Sequence, residues 1–145
     1  MSTLTKFAHQ EETISIPEPI VQIRSFDTKK ASCPLCGHYA PRVSRLIRRA
    51  HDVGSLQANR PLELEIHYSY HDCNRCHKGF ANPAVGQLLP ANSQYTQAVI
   101  DTALAYVTEQ GLPLRESSWC LWRYHRVFVP WITIRNWVVA AGGKN

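Results

Sequence analysis

Leu62-Glu63-Leu64-Glu65-Ile66-His67-Tyr68-Ser69-Tyr70 runs directly into His71-Asp72-Cys73-Asn74-Arg75-Cys76, and this stretch decides how the chain reads. Leu62, Leu64, Ile66, Tyr68 and Tyr70 alternate with Glu63, Glu65, His67 and Ser69, a period of two that predicts a strand with one apolar and one polar face. The strand ends at a C-x-x-C pair. Upstream, Cys33-Pro34-Leu35-Cys36 is a second such pair, and 36 residues separate the two. Within that interval residues 42–53 (RVSRLIRRAHDV) are a weaker strand candidate, and GSLQANRP at 54–61 supplies a turn. The two strands make a hairpin that brings both cysteine pairs to one end.

Tetrahedral Zn(II) takes four soft or borderline donors, and a C-x-x-C turn lets two thiolates reach one ion, with the Gly37 and Gly79 regions allowing a tight backbone. Cys33, Cys36, Cys73 and Cys76 are therefore the expected ligands of one structural Zn(II), the arrangement of a zinc ribbon. With four protein ligands the ion has no open position for catalysis. Two alternatives stand beside this: a mixed shell including His38, His71 or His77, and redox-active thiols, which would need a βαβ context. Cys120 lies on an apolar helical stretch and is expected as a buried core thiol.

The rest of the 145-residue chain is organised around this unit. Hydrophobic residues are 44% and charged residues 19%, ordinary globular usage that disfavours wholesale disorder. Sixteen Lys and Arg against eleven Asp and Glu leave a net charge of +5, which points to a polyanionic partner. Residues 1–32 are neutral; their alternating Ile14 and Ile16, then Ile20 and Val21, suggest short extended pieces behind a mobile tail of about a dozen residues. They form an N-terminal arm. Residues 33–80, the zinc ribbon, carry seven basic and four acidic side chains, and residues 93–145 carry five and three. Between them residues 81–92 (ANPAVGQLLPAN) have no charge and two prolines, and read as a linker. No apolar run approaches the roughly 20 residues needed to span a bilayer, and no secretion signal opens the chain, so a cytoplasmic, reducing compartment without a membrane partner is expected.

From Asn92 the period changes. Asn92 or Ser93 can cap a helix with Val99, Ile100, Ala103, Leu104 and Val107 inside, stopped by Gly111 and Pro113. A second helix, 114–125, would bury Leu114, Ser118, Leu121 and Trp122. Pro130 suits the first turn of a third, with Ile134, Trp137 and Val138 inside. Three short helices over 93–145 are a helix-turn-helix layout, making the whole an α+β chain: a small β zinc ribbon followed by a three-helix helix-turn-helix domain. In the third helix Ile132 and Asn136 then face outward, with Trp131 and Arg135 along the flank, positions from which Arg reads guanine and Asn reads adenine. An ordinary amphipathic helix with a solvated arginine is the plain alternative.

The stretch from Gly111 to Lys144, GLPLRESSWCLWRYHRVFVPWITIRNWVVAAGGK, resembles the helix-turn-helix of DDE-class insertion-sequence transposases, where a Gly-Leu-Ser-Leu-Arg type start and a Thr-Ile-Arg-x-Trp recognition helix recur. CPLCG, RLIRRAHDV, the alternating strand and CNRCHKGF resemble the zinc-binding domain that precedes it in such transposases, so the likeness spans about residues 33–144. Pro130 stands where that family has a capping Ser, and SSWCLW is unusually aromatic. The resemblance implies binding to terminal inverted repeats. The family's three metal-binding carboxylates belong to a downstream catalytic domain, and no acidic residue here inherits their role. The expectation is a truncated, regulatory or domesticated relative, or one subunit of a split system.

The resulting reading is a sequence-specific double-stranded DNA-binding protein, nucleoid-associated and not an enzyme, recognising terminal inverted repeats or an operator. Arg45, Arg48 and Arg49 would contact phosphates, Thr133, Arg135 and Asn136 would read bases, and Trp131 would flank them. A separate transposase or nuclease subunit and a homodimer are compatible partners. The competing class is a zinc-ribbon interaction module or accessory subunit that docks through Trp119, Tyr124 and Trp131. Tyr68 and Tyr70 could stack single-stranded bases, but the alternation assigns them to the buried face.

Overall fold

The alternation of residues 62–70 is realised as one strand at the centre of a sheet. The computed structural model describes residues 3–6, 13–54 and 59–142. Its strands are β1 (Thr3–Lys6), β2 (Thr13–Ile16), β3 (Ile20–Phe26), β4 (Lys30–Ser32), β5 (Tyr39–Asp52), β6 (Leu62–Asp72) and β7 (Gly79–Ala81). β5 and β6 pair antiparallel as the expected hairpin, with Leu64 opposite Ala50 and Ile66 opposite Arg48. The sheet runs β3-β6-β5-β4, and β7 pairs with the far end of β6. β3 lies parallel to β6 as its direct neighbour at the sheet edge, and the two antiparallel steps β4–β5 and β5–β6 make β4 run the same way as β6. Of the expected mobile tail, residues 1, 2 and 7–12 lie outside the described residues, while β1 pairs antiparallel with β2.

The apolar face of β6 holds only over part of its length. Leu64 and Ile66 are fully buried, whereas Tyr70 is 37% exposed and burial passes to Ser69, His71 and Cys73 on the opposite face. The cause is what covers each end. α1 (Pro83–Leu88) and Leu89 lie over the first half, where Val85 and Leu89 join Ala50, Leu64 and Ile66 in one core. At the second half Phe80 stacks on His71, ring centroids 5.3 Å apart, on the other side.

α1 lies inside the expected linker. Asn82 caps it, its Oδ1 accepting from the Ala84 N–H at 3.0 Å, and Pro83 occupies the first turn. The stretch lacks charge because it contributes to the core.

Three further helices follow: α2 (Gln97–Leu104), which continues as a π-helical turn over Ala105–Glu109, α3 (Leu114–His125) and α4 (Trp131–Ala140). Val99, Ala103, Leu121, Val127, Val129, Ile134 and Val138 form their shared core. α3 has the limits read from the sequence, and Ser118, Leu121 and Trp122 are buried as expected. α2 starts later than expected, because Ser93 closes a local turn through its hydroxyl, bonded to both N–H and C=O of Tyr95. The residues before α2 tie instead to the end of β5: the His51 N–H donates to Gln94 O, the Thr96 N–H to His51 O, and the Thr96 hydroxyl to Asp52 Oδ1 at 2.7 Å. The chain is thus a mixed α+β protein with a five-stranded sheet, a separate two-stranded one, and four α-helices among the described residues. No described helix is long and apolar enough to cross a membrane.

Candidate metal centre and the exposed surface of α4

Both C-x-x-C turns fold in the same way, bond for bond. The Gly37 N–H donates to Cys33 O and the His77 N–H to Cys73 O, each at 2.8 Å, while the Cys33 and Cys73 N–H groups donate to His38 O and Lys78 O where the chain returns. This closure requires a left-handed residue after the second cysteine of each pair. Gly37 supplies it with φ of 76°, and in the second turn His77 supplies it with φ of 57°. Gly79, which the sequence suggested for that role, has another: a Cβ there would collide with the Tyr70 phenol ring.

The hairpin and β7 bring the ligand atoms of Cys33, Cys36, Cys73 and Cys76 within 4.8 Å of one another, positioned to bind one metal ion. Cys36 Sγ and Cys73 Sγ are 3.6 Å apart. Metal–sulfur bonds of about 2.3 Å in a tetrahedron place sulfurs roughly 3.8 Å apart, so little movement is needed to close on an ion. Among the thiols themselves, the Cys76 N–H donating to Cys73 Sγ at 3.4 Å holds the Cys73 thiol down at about 7. Cys76 is pushed up to about 12, first by the hydrogen bond it shares with Cys36 and then by burial.

The histidines near the cluster have other employment or none. His71 is buried with both ring nitrogens engaged, Nδ1 with Ala40 O at 3.1 Å and Nε2 with Ser69 Oγ at 2.8 Å. His38 and His77 are exposed, and neither belongs to the group of converging ligand atoms. The Ser69–His71 pair escaped the sequence reading although its spacing of two on a strand puts both on one face. Ser69 Oγ also accepts from the Thr28 N–H at 3.1 Å, so the pair fastens the β3–β4 turn over the metal end.

The arginines of β5 separate by the strand's own alternation. Arg45 and Arg49 share the outer face, where Arg45 Nε lies 3.4 Å from Asp27 Oδ2 and Arg49 3.3 Å from Glu65 Oε2, with both side chains largely exposed. Arg48 points to the opposite face and is consumed there. Its guanidinium donates to Leu89 O at 3.1 Å, Pro90 O at 2.8 Å and Ser93 O at 3.2 Å. The three-arginine cluster of the sequence is therefore two outward cations and one internal clamp.

α4 buries Ile134 and Val138 and leaves Ile132 and Asn136 exposed, with Thr133 and Arg135 half-buried beside them. Trp131 is half-buried at the helix start, and the Arg115 guanidinium lies over its ring at 5.2 Å. That cation–π contact joins α3 to α4 across sixteen positions, too far apart for a local pattern to reveal it. Tyr124 is exposed, and Trp119 and Cys120 are half-buried. Comparison with family models, with curated proteins and with solved structures finds no match to this chain.

Proposed function

We propose that this chain is a sequence-specific double-stranded DNA-binding protein in which α4 reads bases and a structural Zn(II), held by Cys33, Cys36, Cys73 and Cys76, fixes the hairpin. The observation that carries the reading is the surface of α4. Thr133, Arg135 and Asn136 are accessible on a helix anchored from behind by Ile134 and Val138, and no residue of Trp131–Ala140 is acidic. Arg and Asn offer the bidentate donors that match guanine and adenine edges in a major groove. α3 and α4, joined through the left-handed turn at Arg126, act as a helix-turn-helix, with Trp131 pinned by Arg115 at its rim. Arg45 and Arg49 contact phosphates, and Arg48 is withdrawn from that role.

Four thiolates suit Zn(II) and close its coordination, so the ion supplies folding energy rather than chemistry. The order of the sequence motifs resembles that of transposase N-terminal regions, and on that resemblance we propose terminal inverted repeats or an operator as targets and the nucleoid as location. The reading assigns no catalysis to the chain: Asp27, Asp52 and Glu65 are engaged by Arg42, Thr96 and Arg49. A gel shift of labelled duplex with unlabelled random competitor tests the proposal. A complex that survives competitor and weakens steeply with salt supports it; no shift at micromolar protein refutes it.

A second reading, an interaction module or accessory subunit, is favoured by one observation. The sheet face bearing Arg45 and Arg49 also carries Val21, Ile23 and Ile47, each more than half exposed, an unusual concentration of apolar surface for a sheet open to water. A transposase or nuclease subunit, or a second copy of the chain, would dock there without displacing α4.

A further inference from the structure

β3 forms one edge of the five-stranded sheet, with β6 as its one strand neighbour among the described residues. The register settles which of its backbone groups face outward. The Ile20 N–H donates to Pro61 O, and in a parallel pair every second residue makes the bonds to the neighbour, so Ile20, Gln22, Arg24 and Phe26 bond to β6. The N–H and C=O groups of Val21, Ile23 and Ser25 therefore point along the open edge. β1 and β2 pair with each other and not with β3. The side chains of Val21, Ile23 and Ser25 lie on the face opposite α1, where Val21 is 55% and Ile23 62% exposed. Folded proteins guard such an edge with Lys, Pro, a bulge or a very short strand. The sheet's other edge is guarded in this way: β4 has three residues and begins at Lys30, and beyond it β5 turns out Arg45 and Arg49. β3 has seven residues in unbroken register with β6, prolines only before it at Pro17 and Pro19, and the single charge of Arg24.

From this open edge we infer that the chain forms a two-fold homodimer in which β3 pairs antiparallel with β3 of a second copy, joining the two sheets into one. The strand is complementary to itself in one register. With Ile23 of one copy opposite Ile23 of the other, the whole of β3 overlaps: Val21 meets Ser25, Gln22 meets Arg24 and Ile20 meets Phe26. The outward-facing residues then form hydrogen-bonded pairs, about six bonds across the axis. Val21 and Ile23 of both copies become one apolar strip, the kind of cross-strand contact that stabilises sheets. No like charges oppose each other, since Arg24 faces the neutral Gln22 amide. A register centred on Arg24 would set two guanidinium groups together, and one centred on Gln22 would set Ser25 against Pro19, which has no N–H to donate. This match of the strand with itself favours a second copy over an unrelated extended peptide, because an interface about a two-fold axis must be self-complementary. The dimer moves the second-copy contact of the reading above from the sheet face to its edge, and it does not rest on duplex binding by α4.

Sedimentation velocity of the full chain over roughly 1–200 μM, a range suited to an interface of modest size, tests it and should show monomer passing into dimer. Ile23→Lys, at a position exposed in the monomer, sets two ammonium groups across the axis and raises the dissociation constant roughly tenfold or more, with the thermal melt of the dilute protein unchanged. Ile47→Lys, on the same face but two strands away, leaves the dimer intact, which separates edge pairing from face docking. Arg135→Ala also dimerises as the wild type does, so failure of the α4 reading leaves this result standing. Cysteine linking reads the register independently of any loss of stability. Under mild oxidation Ile23→Cys links to itself, because the Cα atoms of a hydrogen-bonded antiparallel pair lie about 5.5 Å apart, within disulfide reach. Val21→Cys links to Ser25→Cys in a mixed sample and not to itself, with the wild type under the same oxidant as background. A chain that stays monomeric throughout overturns the proposal, even where β3 takes up an extended peptide of another protein. So does a dimer that is indifferent to Ile23→Lys or lost in Ile47→Lys, or a Val21→Cys chain that links to itself as readily as Ile23→Cys.

Discussion

Replacing Arg48 by Ala should unfold the protein more readily without altering how it meets an anion, and Arg49→Ala should do the opposite. The Arg48 guanidinium donates to the carbonyls of Leu89, Pro90 and Ser93, which fastens the chain between α1 and α2 to the sheet. Hydrogen bonds with a charged donor are worth about 1.5–3 kcal/mol each, and the half-buried location lets water replace part of them, so a total of about 2–4 kcal/mol is expected. For a chain of this size that lowers the melting temperature by roughly 5–15 °C. Arg49 is 75% exposed and 3.3 Å from Glu65, a surface pair whose loss costs about 0–1 kcal/mol. Its removal should instead flatten the slope of log affinity against log salt by roughly one unit. Urea denaturation and a salt series of duplex-binding anisotropy measure both effects on both variants. An Arg48→Ala protein that melts like the wild type and shows the reduced salt slope would refute the division of the two arginines by strand face.

Native mass spectrometry should find one zinc per chain, lost in Cys73→Ser, and chelation should unfold the metal end of the hairpin while leaving α2–α4 helical by circular dichroism. Zinc affinity should rise with pH, because binding displaces the proton that Cys76, pushed up to about 12, retains; below about 7 Cys73 is protonated as well and the dependence steepens. A competition titration from pH 6 to pH 9 that shows flat affinity would contradict this. Gly37→Ala should cost about 1–2 kcal/mol in the metal-bound protein although open space surrounds it, since the whole penalty is backbone, whereas His77→Gly should be tolerated or mildly stabilising. Supercoiled plasmid incubated with the protein and Mg(II) or Mn(II) should stay intact; cleavage abolished by Glu63→Gln would make the chain a nuclease.

What the sequence made legible is what depends on neighbours. The β5–β6 hairpin followed from a period of two with a turn between, and α3 from its spacing between Pro113 and Arg126. The four cysteines converge because the hairpin carries one pair to the other. What stayed hidden depends on distant partners. β3 owes its place to parallel pairing with β6, 42 positions away at Ile20 and Leu62, and no local pattern encodes that. The loss of the apolar face after Tyr68 reflects Phe80 and His71 covering the opposite side. Residues 81–92 looked like a connector because uncharged, proline-bearing sequence suits both a loop and a short buried helix; the Asn82-Pro83 cap and the Val85, Leu89 spacing were the signals to weigh. For α4 the buried positions Ile134 and Val138 were readable, while Arg115 over Trp131 was not.

Selection from a randomised duplex pool with wild type and Arg135→Ala asks whether α4 reads bases. The wild type should enrich a defined motif, and Arg135→Ala, still folded, should lose the guanine preference at one position of it, at about 1–3 kcal/mol. No enriched motif, or the same motif from both proteins, would contradict it.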